Sequence, residues 1–178
     1  LKVKKTELSD SFAKLRFITA IVLQATTGMR PFELRELTWK HLGDFENKNH
    51  FILPSEISKT PFKRVQPLTE EAKWLLKELK KAWDKHQRKL QLKGNVIFPY
   101  KESRKVIDLL SQKGIDFTQE DLRDFATTMS TNILGVPGAL EAAIAGHQTD
   151  KWELELKSYI SLTPEDLAKE YLKYWKEP

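Results

Sequence analysis

Apolar residues recur at helical period along most of this chain, and one stretch, Trp39 to Leu68, departs from that rhythm. Ser9-Asp10 can cap a helix running to about Thr27, with Leu8, Phe12, Leu15, Ile18, Ile21, Val22 and Ala25 apolar. The apolar positions exceed one stripe, which predicts a helix buried on most sides. Gly28 ends it, and Pro31 opens a short helix through Leu37. In the departing stretch, Phe51-Ile52-Leu53 and Arg64-Val65-Gln66 read as short strands separated by Pro54, Ser58 and Pro61, so a sheet of two or three antiparallel strands is expected. Thr69-Glu70-Glu71 then starts an amphipathic helix to about Gln91, with Trp74, Leu75, Leu79 and Trp83 as its expected inner face.

The second half returns to helices. Val96-Ile97-Phe98-Pro99 reads as extended, followed by a helix over about Lys101 to Gln112. Thr118 caps another helix with a stripe of Leu122, Phe125, Ala126, Met129 and Ile133. Gly135-Val136-Pro137-Gly138 breaks it before a short helix from Ala139 to Ala145. Helical pieces near Trp152–Tyr159 and Pro164–Trp175 complete a mainly α fold with a small antiparallel β-sheet, of the α+β class. No repeat or Gly/Ser linker divides it, so residues 1–178 are expected to form one domain, with 163–178 as a tail helix.

Composition narrows the class. The 178 residues suffice for one core, and 40% apolar residues with nine Phe and five Trp exclude a disordered chain. No apolar run approaches the roughly 18 residues of a membrane span, and no signal-peptide pattern opens the chain. Without cysteine there is no disulfide, thiolate metal site or Cys nucleophile. An intracellular, cytoplasmic protein is expected. Because it begins at Leu1 rather than Met, we expect a fragment of a longer protein. A net charge of +5 and a pI near 9.2 suit a nucleic-acid partner, though they equally suit a Lys/Glu-rich solvated surface. Thr69–Lys93 carries eight basic and four acidic residues, whereas Asp150 to the end carries five and seven. A phosphate-binding surface should therefore exclude the tail.

Four dispersed elements could carry chemistry. Arg30, between Gly28 and a helix start, can be held across a turn, with Glu33 reaching back to it or capping the helix; the plain alternative is a surface Arg in a helix–turn–helix. Lys59, in Ser58-Lys59-Thr60-Pro61, sits on a β-turn where it could donate a proton or pair with phosphate, although turn lysines are common. Arg123, beside the Leu122 stripe, should be partly buried and in need of an anion or of a carboxylate such as Asp124 or Glu120. His147 follows Gly146 on a turn, and Tyr159 lies twelve residues beyond it.

In that order, through "TGMRPFELREL", "SKTPFKRVQPL" and "AGHQTD", the chain resembles the catalytic domain of tyrosine recombinases, the integrase family, from about Leu8 to Lys176. The resemblance implies site-specific cleavage and rejoining of double-stranded DNA for integration or recombination of a mobile element. Arg30 and Arg123 would clamp the scissile phosphate, Lys59 would protonate the departing 5′ oxygen, His147 would hydrogen-bond the phosphate, and Tyr159 would attack it to give a 3′-phosphotyrosine. Permanent guanidinium charge where negative charge develops is transition-state stabilisation. Covalent capture by Tyr conserves the phosphodiester bond energy, so neither ATP, metal nor other cofactor is expected.

Two departures stand out. Glu120 occupies the place where the family usually has His, three residues before the second Arg; we expect it to orient Arg123 or help deprotonate Tyr159. The His147–Tyr159 interval is about three residues longer than usual for the family. Tyr171 and Tyr174 fit packing better than attack, and Tyr100 does not fit the family order. The resemblance further implies an N-terminal DNA-binding domain outside this chain and a DNA-bound homo-tetramer exchanging its C-terminal helices; packing of that helix on its own domain is the simpler alternative. A type IB topoisomerase-like enzyme and a catalytically inactive DNA-binding module of the same fold are the rival readings.

Overall fold

The computed structural model describes residues 5–58, 63–90, 95–99, 107–108, 111–112, 114–116, 118–146, 157–159 and 161–175. Its elements are α1 (Lys5–Thr27), α2 (Pro31–Glu36), α3 (Trp39–Leu42), β1 (His50–Leu53), β2 (Arg64–Pro67), α4 (Glu70–Leu90), α5 (Gln119–Thr128), α6 (Gly138–Ala145) and α7 (Pro164–Leu172). The mainly α character and the single antiparallel strand pair agree with expectation. α1 starts before the Ser9-Asp10 cap that the sequence offers. The expected helix over Lys101–Gln112 falls mostly outside the described residues, as does most of Trp152–Tyr159.

β1 and β2 pair with Ile52 opposite Val65 and Leu53 opposite Arg64. Successive strand residues point to opposite faces. Phe51 and Leu53 accordingly join the larger core, while Ile52 and Val65 join a second, smaller one. The larger core is built from α1, α2, α4 and the segment carrying Ile97 and Phe98, with Leu23, Leu34, Leu37, Leu53, Leu76 and Leu79 fully enclosed. Arg16 is also buried there, its guanidinium 4.6 Å from the Phe12 ring and 5.4 Å from the Trp83 ring, where the ring faces attract the cation. The smaller core joins Val65, Val136, Leu140, Ile144, Leu167, Ala168 and Tyr171. The two-stranded sheet is thus shared between two clusters.

Four apolar side chains turn out differently from the sequence pattern, and the first is Ile18, half exposed on a helix expected to be buried on most sides. Trp74 is exposed, because the buried face of α4 runs through Ala72, Leu75, Leu76, Leu79 and Trp83, and a residue two positions from both Ala72 and Leu76 points the other way. Phe125 and Ile133 are exposed as well. Met129–Ile133 forms a π-helical turn whose extra residue rotates the stripe. The buried position after Ala126 passes to Ser130, whose hydroxyl donates to the Ala126 carbonyl at 2.7 Å.

α7 packs on its own chain, against β1 and β2. Thr163 caps it, accepting from the Asp166 N–H at 3.1 Å, and Leu167 and Tyr171 form its buried stripe. The Tyr171 hydroxyl donates to the Thr26 carbonyl at 3.3 Å, tying the tail to the end of α1. Burial pushes this phenol up from 10.0 to about 12.

Two outcomes follow. In chemical denaturation, Trp83→Ala should cost about 3–5 kcal/mol and Trp74→Ala less than about 0.5 kcal/mol. The folded state holds the Tyr171 proton more tightly than the unfolded chain, so its contribution is complete below the unfolded value and lost as pH rises from 10.0 towards about 12. Over that window the chain should lose up to about 3 kcal/mol relative to Tyr171→Phe, measured by paired denaturant titrations.

Candidate phosphate-binding site

α1 ends at Gly28, whose φ of +64° forms the left-handed turn that a helix terminus favours. A Cβ there would stand 3.8 Å from Ala126 Cβ and 4.0 Å from Ala145 Cβ, ordinary contact distances, so it is the backbone conformation that calls for glycine. Gln24 secures the turn by donating through Nε2 to the Met29 carbonyl at 3.0 Å. Arg30 follows as the N-cap of α2, with Pro31 opening the helix. Glu33 reaches back as the sequence suggested: its Oε2 accepts the Arg30 backbone N–H at 2.9 Å.

The other oxygen of Glu33 has a different task. Oε1 lies 2.6 Å from Arg64 Nη2, 3.5 Å from Arg30 Nη1 and 3.5 Å from Ser58 Oγ. The Glu33 side chain is fully buried and that of Arg64 is 4% exposed, whereas the Arg30 side chain keeps 20% of its surface. A buried carboxylate needs both charge compensation and hydrogen bonds, and two guanidiniums supply them here.

Arg64 also faces α6. Its Nη1 donates to the Ala145 carbonyl, and Gln66 Nε2 donates to the Ile144 carbonyl at 3.1 Å. Residues two apart on a strand share a face, so β2 offers two donors to the terminal carbonyls that a helix leaves unmet. Gly146 fits beneath Arg64: a Cβ there would collide with Nη1 and Cδ and stand 3.0 Å from Cζ. Its φ of +70° ends α6 in the left-handed region.

Arg123 completes the positive cluster. It sits early in α5, half-buried, after a Thr118 cap that accepts from the Asp121 N–H at 3.2 Å. Burial lowers the pKa of its guanidinium, and the charges of Arg30 and Arg64 lower it further. Glu33 and the exposed Glu120 act in the opposite sense. Arg64 is likewise held down by burial and by Arg30, against the pull of Glu33. Three guanidiniums therefore share one neighbourhood around a single buried carboxylate, a positive excess that suits an anion.

Among the expected site residues, Arg30 follows the Gly28 turn, which faces Ala126 one turn beyond Arg123 in α5, and the charges of Arg30 and Glu120 are both felt at Arg123. Tyr159 is half-buried against the smaller core, whose members Val65 and Ile144 adjoin Arg64 and Ala145 in the chain. Lys59 and His147 lie outside the described residues, and so does Tyr100. Arg64 was not anticipated; in the sequence it is one polar residue of a short strand, as often solvated as buried. Among the described residues, no group of three or more His, Asp or Glu side chains is placed to hold a metal ion. No described helix is long and apolar enough to cross a membrane.

Comparison with known proteins gives one finding. No curated protein and no solved structure matches the chain. Residues 4–151 match the sequence profile of the phage integrase family, a span that holds Arg30, Glu33, Arg64, Arg123 and Gly146. The chain belongs to the phage integrase family, whose work is DNA recombination of the tyrosine-recombinase type.

Proposed function

We propose that this domain is the catalytic part of a site-specific DNA recombinase that cleaves and rejoins duplex DNA through a 3′-phosphotyrosine. The observation that carries the reading is the packing of the Gly28-Arg30 turn against the helix that carries Arg123, which brings two arginines distant in sequence within range of each other's charge. Their guanidiniums bind the two non-bridging oxygens of the scissile phosphate and neutralise the charge that grows as phosphorus becomes five-coordinate. Tyr159 Oη attacks phosphorus while its proton passes to Glu120 or to water, the bond to the 5′ oxygen breaks, and Lys59 gives that oxygen its proton. His147 hydrogen-bonds the phosphate, and Glu120 steadies Arg123. Attack by the freed 5′ hydroxyl reverses these steps and releases the tyrosine, so the phosphodiester energy is conserved.

The same reading makes duplex DNA the partner, with an N-terminal DNA-binding domain outside this chain completing the grip on the duplex. It places the protein in the cytoplasm, on DNA, and makes the working assembly a tetramer in which α7, packed here on its own sheet, leaves that seat to dock on a neighbouring subunit. The basic stretch from Thr69 to Lys93 supports phosphate contact and predicts affinity that falls steeply with salt.

The test is covalent capture on nicked duplexes enriched from a random-sequence pool, where loss of the short cleaved strand prevents rejoining. The unaltered chain should form a DNA adduct, Tyr159→Phe should form none, and Tyr171→Phe should still form it. Arg30→Ala and Arg123→Ala should each slow adduct formation by roughly 10²- to 10³-fold. An adduct that survives in Tyr159→Phe would move the nucleophile elsewhere. If the full-length protein, with its N-terminal domain, forms none, a DNA-binding module without chemistry is the correct reading. Relaxation of supercoils with no site requirement would favour the topoisomerase-like alternative.

A further inference from the structure

Arg64 takes no part in the reaction just described, yet it holds the shortest contact with the carboxylate that also faces Arg30. Arg64 Nη2 stands 2.6 Å from Glu33 Oε1, and Arg30 Nη1 stands 3.5 Å from the same atom. The two guanidiniums compete for one charge, and Arg64 has the nearer position. It is also held from behind, by the Ala145 carbonyl that accepts from Nη1 and by the close surface of Gly146. The Arg30 side chain is left loosely paired and 20% exposed. A guanidinium tightly paired to a carboxylate has less charge and fewer donors to offer an incoming anion.

We infer that Arg64 is a positioning residue: by occupying Glu33 it keeps Arg30 available to the scissile phosphate, and by holding Ala145 it fixes the end of α6 against the same carboxylate. The inference rests on the phosphate-clamp reading of Arg30. Without Arg64, Glu33 would turn its full charge on Arg30 and draw that guanidinium away from the substrate.

The test compares adduct formation on two nicked duplexes, one with an ordinary scissile phosphate and one with a methylphosphonate, whose phosphorus carries no negative charge. Thermal melts fix a temperature at which every variant is folded. Arg64→Gln should slow adduct formation by about 10- to 100-fold on the phosphodiester and much less on the methylphosphonate. Adding Glu33→Gln to Arg64→Gln removes the competing carboxylate and should raise the rate at least about threefold above that of Arg64→Gln alone. Equal losses on the two duplexes, no loss at all, or no recovery in the double variant would each overturn the inference.

Should Arg64→Gln fail to fold, Arg64→Lys takes its place. A lysine there keeps the charge but reaches Glu33 or the Ala145 carbonyl rather than both, and the same dependence on phosphate charge is expected; equal losses again overturn it. Arg30→Ala separates the two levels. If that variant loses nothing on the phosphodiester, the clamp reading itself fails, whereas normal Arg30 dependence with an unaffected Arg64→Gln refutes only the role of Arg64.

Discussion

A carboxylate with no exposed surface is the centre of this molecule. Glu33 could not be charged in the interior alone, since desolvation of one ion costs several kcal/mol. Arg64 at 2.6 Å and the Arg30 backbone N–H at 2.9 Å make its burial tolerable. The dependence runs both ways, because a buried Arg64 would be equally costly without Glu33. Breaking such a pair from one side costs about 3–5 kcal/mol in general, enough to rival the whole stability of many domains. The first turn of α2 and the first residue of β2 are therefore bound by an interaction that neither can leave cheaply.

From that pair the arrangement spreads through the backbone. β2 uses Arg64 and Gln66 to meet the last carbonyls of α6, and Val65 between them packs with Leu140 and Ile144 of the same helix. One four-residue strand thereby seats α6 with both its polar and its apolar side chains. The segment entering His147 begins from a helix end that is held by two side chains of one strand, Arg64 and Gln66. Tyr159 leans on the same small core. Rigid elements rather than long loops hold the described part of the site, which favours a preformed anion pocket.

Much of this was legible in the chain. The strand pair, the Pro31 helix start, the Thr118 cap and the Gly146 stop all follow from local chemistry, and Glu33 could be matched to Arg30 because both sit within one helical turn. What stayed hidden depends on contacts far apart in sequence. Trp74 looked like a core residue because it is large and apolar, and only the angle around α4 shows that it misses the buried face. Ile133 was displaced by a π-helical turn that no residue type announces. Arg64 was the deepest omission: a strand pattern says which residues share a face, but not that a carboxylate thirty-one positions earlier will be waiting there. Paired ions are read in sequence only when they are neighbours.

The division of the sheet between two cores has a consequence for how the molecule is born. Among the described residues, every contributor to the larger cluster lies at or before Phe98, whereas the smaller one waits for Leu167, Ala168 and Tyr171, far beyond it in the chain. Chains fold from the N-terminus as they emerge. Arg30, Glu33 and Arg64 can meet early, but Arg123 and the Ala145 carbonyl join them later, and α7 seals the smaller core only after all of them have emerged. A nascent chain that has emerged only as far as Phe98 thus holds the Glu33 ion pair without Arg123 beside it, and the positive cluster is completed in the order in which its parts leave the ribosome.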